Sequence, residues 1–181
     1  MRTKIPSEAL SEDEVSRLLA ASQGPTADPR LYLMLLLGFN HGFRASELCA
    51  LRPENIQHGN VIMHRGKGSS SGRHRLTTEE RESLEPYLRS PSPQGTLFGL
   101  HRQRFYGLMR ECAESIGLPQ SKQSPHALRH TCIKRALARG ASLPAVQKFV
   151  GHKSLASTGF YTKVSEEEAV ESCLPKEDKK G

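Results

Sequence analysis

Residues 29–48 read Pro29-Arg30-Leu31-Tyr32-Leu33-Met34-Leu35-Leu36-Leu37-Gly38-Phe39-Asn40-His41-Gly42-Phe43-Arg44-Ala45-Ser46-Glu47-Leu48. Proline is pre-set for the first position of a helix. The residues after it are apolar almost all round, through Leu31, Leu33, Met34, Leu35, Leu36 and Leu37. A helix without a polar face is one that its neighbours cover. The segment therefore predicts the central buried helix of a mainly α-helical domain, ending near Gly42. A short helix is expected next, from Arg44 to Leu51, stopped before Pro53.

Upstream, residues 1–10 read as a flexible leader. Ser11-Glu12-Asp13-Glu14 then forms a capping box, with Val15, Leu18 and Leu19 on one face of the helix it opens. Gly24-Pro25 stops that helix. Downstream, residues 60–65 and 73–77 read as two strands joined by a Gly- and Ser-rich turn over 66–72. Thr78 is expected to cap a helix through Leu88, and Ser90-Pro91-Ser92-Pro93 is a loop. Further helices fit residues 102–116, 126–139 and 143–150, with a shorter one at 154–160. Residues 165–173 suit a terminal helix with acidic residues in its first turn, followed by a disordered end. There is no internal repeat, no low-complexity tract and no break in composition. The expected fold class is one mainly α domain with a small antiparallel β-hairpin.

The 181 residues suffice for one domain with a core, and 6% aromatic content without Trp makes that core aliphatic. The formal charge is +7, unevenly spread. Residues 64–163 carry 17 basic and 6 acidic groups, residues 1–63 carry 6 and 7, and residues 164–181 carry 3 and 6. Such a block suits a polyanion, most simply nucleic acid, or else a generally basic surface; charge alone leaves both open. Cys49, Cys112, Cys132 and Cys173 form no CxxC pair and read as free thiols of a reducing cytosol rather than metal ligands or disulfides. No signal peptide is visible, and the longest apolar run, Leu31 to Phe39, is too short to span a bilayer. A cytoplasmic protein with no membrane partner is expected.

Cutting a phosphodiester without a metal needs a nucleophile, cations for the non-bridging oxygens and a proton donor for the leaving oxygen. Arg44 lies three residues before Glu47, so a carboxylate can orient its guanidinium. His126 and Arg129 share a helix face after Pro125, near a helix N-terminus suited to anions. Gly151 precedes His152, and Tyr161 comes nine residues after that histidine. Lys67 sits between two glycines at the hairpin tip, where it could protonate an alkoxide. Each motif alone has a plain reading: a surface ion pair, a chance HxxR, a packing tyrosine, a solvated lysine.

Together, Gly42-Phe43-Arg44-Ala45-Ser46-Glu47-Leu48, Lys67, His126-Ala127-Leu128-Arg129, Gly151-His152 and Tyr161 stand in the order of the tyrosine recombinase and phage integrase family, and the chain resembles that family over about residues 10–165. The resemblance implies the catalytic-domain fold of that family over residues 11–165. It implies that Arg44 and Arg129 clamp the scissile phosphate, that Tyr161 attacks phosphorus to form a 3′-phosphotyrosyl link, and that Lys67 protonates the departing 5′-oxygen. Arg65, Arg73 and Arg75 compete with Lys67 for that role as nearby cations. His126 and His152 would support the phosphate and its proton transfers, with Glu47 and His130 behind them. No metal and no cofactor are implied.

The pattern begins near residue 11, so the N-terminal helical domain that most members carry is not expected, and the build is similar to the fimbrial phase-variation recombinases. Residues 166–181 would form a helix and tail that docks on a neighbouring protomer. Expected partners are double-stranded DNA, further copies of the chain as a tetramer on paired sites, and an accessory DNA-bending or directionality protein. Arg102, Arg104, Lys122, Lys134 and Arg135 are the remaining candidates for DNA contact, alongside Arg65, Arg73 and Arg75. The alternatives are a type IB topoisomerase-like strand cutter, an idle DNA-binding remnant, and an unrelated RNA-binding helical domain. The full set of nucleophile and cations speaks against a remnant, and no RNA-binding aromatic strand is present.

Overall fold

In the computed structural model, which describes residues 8–64, 72–90 and 92–151, the apolar segment forms helix α2 (Pro29–His41). Asp28 caps it by accepting from the Arg30 amide at 3.0 Å, and Pro29 fills its first turn. Leu31 and every residue from Leu33 to Phe39 are buried. Around it lie α1 (Glu12–Ala21), α3 (Ala45–Ala50), α4 (Thr78–Arg89), α5 (Arg102–Ser115) and α6 (Pro125–Ala138), with α6 packed along its length. The expected capping box closes α1: Ser11 Oγ accepts from the Glu14 amide at 3.1 Å, and Glu14 Oε2 accepts from the Ser11 amide at 2.8 Å. Helix α7 (Leu143–Val150) joins through a smaller cluster of Ile133, Val146 and Val150.

The expected hairpin is a three-stranded antiparallel sheet in the order β1 (Ile56–Gln57), β2 (Asn60–Met63), β3 (Gly72–Arg75). Strand β1 is two residues long, too short for any alternation to show. It is paired through the two-residue loop His58-Gly59, both at positive φ (48° and 71°), as a tight hairpin turn requires. The cap of α4 is also corrected: it is Thr77, not Thr78. Thr77 Oγ1 accepts from the Glu80 amide at 3.2 Å, and Glu80 Oε2 accepts from the Thr77 amide at 2.8 Å. The leader's first seven residues, the hairpin tip and all helices expected beyond residue 151 lie outside the described residues.

Helix α2 ends at Gly42, whose φ of 64° lies in the left-handed region. A Cβ there would stand 3.0 Å from Val150 Cγ1 and 3.3 Å from Cys132 Sγ. Both the conformation and the close approach of α6 and α7 call for glycine. Gly42→Ala is expected to cost about 2 kcal/mol or more, read as a lower urea midpoint at unchanged slope.

Candidate functional site

Two arginines meet where α2 and α7 end. Arg44, directly before α3, donates from its amide to Glu47 Oε2 and from Nη1 to Glu47 Oε1, each at 2.8 Å. Its Nη2 donates to the Gly151 carbonyl at 3.2 Å. Arg129, on α6, donates from Nη1 to the Gly42 carbonyl and from Nη2 to the Val150 carbonyl at 2.8 Å. These acceptors belong to the last turns of α2 and α7, where backbone carbonyls lack helical partners and the dipole is negative. Guanidinium groups satisfy both. Glu47 thus orients Arg44, while the carbonyls fix the depth and direction of Arg129, which is only 5% exposed.

Ser124 precedes α6, Pro125 takes its first position, and His126 comes next on the exposed side of the first turn. His126 lines a groove of about 590 Å³ with Arg102, Gln103, Tyr106, Gly107, Arg110 and Gln123. Its ring stands 6.2 Å from that of Tyr106. His130, one turn further, is half-buried. Burial first, then the positive charge around His126, Arg129 and Lys134, holds its imidazole below the ordinary value, so it stays uncharged at neutral pH. The region combines cations, an imidazole at its rim and a helix N-terminus, all suited to an anionic ligand. Among the described residues, no group of three or more His, Cys, Asp or Glu is placed to hold a metal ion.

The remaining sequence-predicted residues fall in three groups. Arg73 and Arg75 are exposed on β3, Arg102 and Arg104 begin α5, and Lys134 is exposed on α6. Lys122 is engaged by both carboxylate oxygens of Glu14 at 2.8 Å, and Arg135 stacks on Phe39 at 4.2 Å with Glu12 3.6 Å from its Nε. Arg65, Lys67, His152 and Tyr161 lie outside the described residues. Sequence reasoning missed the carbonyls that seat the arginines, and Gln103, Tyr106, Arg110 and Gln123 of the groove. It also missed a buried cluster behind the arginine loop. There Glu80, fully buried, has its Oε1 3.0 Å from His41 Nε2 and accepts from Asn40 Nδ2 at 3.0 Å.

Burial pushes the Glu80 carboxyl up, but His41, the Thr77 amide and Asn40 together bring it below its ordinary 4.5. A carboxyl lowered by folding contributes stability above 4.5 that is lost as pH falls through the lower folded-state value. Unfolding measured in urea should therefore show stability falling between about pH 5 and pH 3, less steeply in Glu80→Gln.

A model of the phage integrase family matches residues 8–168. A tyrosine recombinase of Pseudothermotoga lettingae is 33% identical over 176 residues, covering 93% of this chain and 60% of that protein. The type 1 fimbriae regulatory protein FimB of Escherichia coli is 34% identical over 167 residues, covering 84% of this chain and 82% of FimB. The chain spans about three fifths or less of the length of recombinases it matches, 60% and 55% of two of them. The crystal structure of the XerH site-specific recombinase bound to its difH substrate shares the fold with a TM-score of 0.75, at 21% identity over 95% of this chain and 55% of XerH.

Proposed function

The chain belongs to the phage integrase family, and from that membership together with the paired arginines we propose that it is a site-specific DNA recombinase. It cleaves and rejoins DNA through a 3′-phosphotyrosyl intermediate. The observation that carries this reading is the seating of Arg44 and Arg129 on the joined ends of α2 and α7, one residue before His152 in the chain. A guanidinium has five donors in a planar fork, so the same group can hold main-chain carbonyls and serve a phosphate. The two positive charges neutralise the equatorial oxygens of the pentacovalent phosphorus, where charge builds in the transition state.

In the step proposed, the Tyr161 phenol oxygen attacks phosphorus and the bond to the 5′-oxygen breaks. The phenol proton leaves through a neighbouring base, with His126 and His152 assigned to that role. Lys67 delivers a proton to the 5′-oxygen, which departs as a hydroxyl. The phosphodiester energy stays in the tyrosyl link, so a 5′-hydroxyl from another strand reverses the step without a high-energy cofactor.

Residues 11–165 form the breaking and rejoining unit, and residues 166–181 dock on a neighbouring protomer in a tetramer on paired duplex sites. An accessory DNA-bending or directionality protein completes the assembly. Arg102, Arg104 and Lys134, with Arg73 and Arg75 on the sheet, supply phosphate contacts, which position the duplex and make binding salt-dependent. The exposed His126 groove supports a duplex lying across the start of α5 and α6.

The test is a nicked suicide duplex from the DNA flanking the coding sequence, incubated with protein in EDTA and resolved on a denaturing gel. A covalent protein–DNA band is the expected result. Binding without such a band would overturn the cleavage reading in favour of an idle DNA-binding protein.

A further inference from the structure

The inward face of a helix is normally apolar. Helix α6 departs from this at Thr131, which is 4% exposed on the side that also buries Ala127 and Leu128. Its hydroxyl makes two hydrogen bonds. Oγ1 accepts from the Leu10 amide at 2.8 Å and donates to the Ala127 carbonyl, one turn earlier on α6, at 2.7 Å. A hydroxyl has one proton and two lone pairs, so one side chain can do both. Leu10 and Ala127 are both buried, and a Leu10 amide without its acceptor would be left unsatisfied.

The Leu10 bond does not stand alone. The Glu8 amide donates to the Ser121 carbonyl at 3.0 Å. Both carboxylate oxygens of Glu14 accept from Lys122 Nζ at 2.8 Å, and Glu12 Oε1 lies 3.6 Å from Arg135 Nε. Residues 8–14 therefore run as a strap along the segment 121–135, and the capping box of α1 holds the end of that strap. The strapped segment delivers part of the site. Arg129 lies inside the turn that the Thr131 hydroxyl closes on Ala127, and His126 lies immediately before that turn. A threonine hydroxyl bonded to the carbonyl four residues back bends a helix there. The direction of the first turns of α6 thus depends on this hydroxyl, and the strap fixes where the hydroxyl is held.

We propose that Thr131 is a positioning residue for the cleavage step, an inference that rests on the function proposed above: its hydroxyl pins the start of α6 to the Leu10 amide and so sets the placement of His126 and Arg129 at the scissile phosphate.

Two substitutions separate the hydroxyl from the shape of the side chain. Thr131→Val keeps the shape and loses both hydrogen bonds; Thr131→Ser keeps both bonds and loses a methyl group. The rate of adduct formation on the nicked duplex in EDTA is measured at saturating DNA, with DNA affinity and urea unfolding alongside. Thr131→Val is expected to form adduct about tenfold more slowly than wild type, with affinity within about threefold. Thr131→Ser should stay within about threefold of wild type in both. Lost stability alone does not imitate this result: a variant folded in about 99% of its molecules forfeits about 1% of its rate by unfolding.

A Thr131→Val protein that cleaves like wild type overturns the inference, and so does a Thr131→Ser protein as slow as Thr131→Val. If Thr131→Val fails to fold, Thr131→Ala decides by the same criterion, since it leaves room for a water at the Leu10 amide. Absence of adduct from wild type overturns the cleavage reading, and this inference falls with it; adduct formed at one rate by wild type and Thr131→Val overturns this inference alone.

Discussion

Tyr161→Phe will leave no covalent adduct on the nicked duplex, while DNA affinity and the urea midpoint stay at wild-type values. The substitution removes one oxygen, and in the proposed mechanism that oxygen is the nucleophile. The loss is therefore of the whole reaction rather than of a fraction of its rate. Retaining the ring keeps whatever packing the tyrosine makes, which separates chemistry from folding. An adduct formed by the variant would move the nucleophile to another residue. Peptide mapping of the linked fragment would then identify it.

Arg129→Lys should be nearly as damaging, for a reason the described structure supplies. The guanidinium fork spans two carbonyls, those of Gly42 and Val150, from a position that is 5% exposed. An ammonium is a single point with a different reach and cannot bridge the same pair while also facing a phosphate. At least one buried carbonyl loses its donor, at about 1–3 kcal/mol. In the proposed mechanism the transition state also loses an oriented charge, and cleavage should fall at least about a hundredfold. Urea unfolding and single-turnover adduct formation measure the two effects separately. A lysine variant as stable as wild type would mean that the two carbonyl bonds do not matter to the fold. A lysine variant as fast as wild type would remove Arg129 from the phosphate clamp.

Much of the architecture could be read along the chain, because its strongest signals are local. Helix α2 announces itself by apolar residues on all sides, and α1 by the reciprocal pair Ser11 and Glu14. The cap of α4 was also present in the sequence: Glu80 stands three residues after Thr77, whereas Arg81 stands three after Thr78. The inward side of β3 was less readable: His74 is buried between the exposed Arg73 and Arg75, and a histidine in the inward place of a period-two alternation does not announce a core position.

The features that escaped are non-local. The spacing of His126 and Arg129 shows that they can share a helix face, but not that Arg129 is turned inward onto the ends of two other helices. Counting charges does not reveal that Lys122 meets Glu14 from 108 residues away, or that Arg135 lies over Phe39. Such partners are brought together only by the packing of α1, α2 and α6.

Most of the acceptors that hold the two arginines belong to the main chain. The carbonyls of Gly42, Val150 and Gly151 remain whatever side chain evolution places at those positions, so mutational drift at the acceptor sites cannot delete them as it could delete a carboxylate. Drift can reach them only by changing the path of the backbone, and at Gly42 the left-handed turn and the crowding by Val150 and Cys132 resist that. Glu47 is a side-chain anchor of Arg44 among the described residues, and so a point that a single substitution can delete.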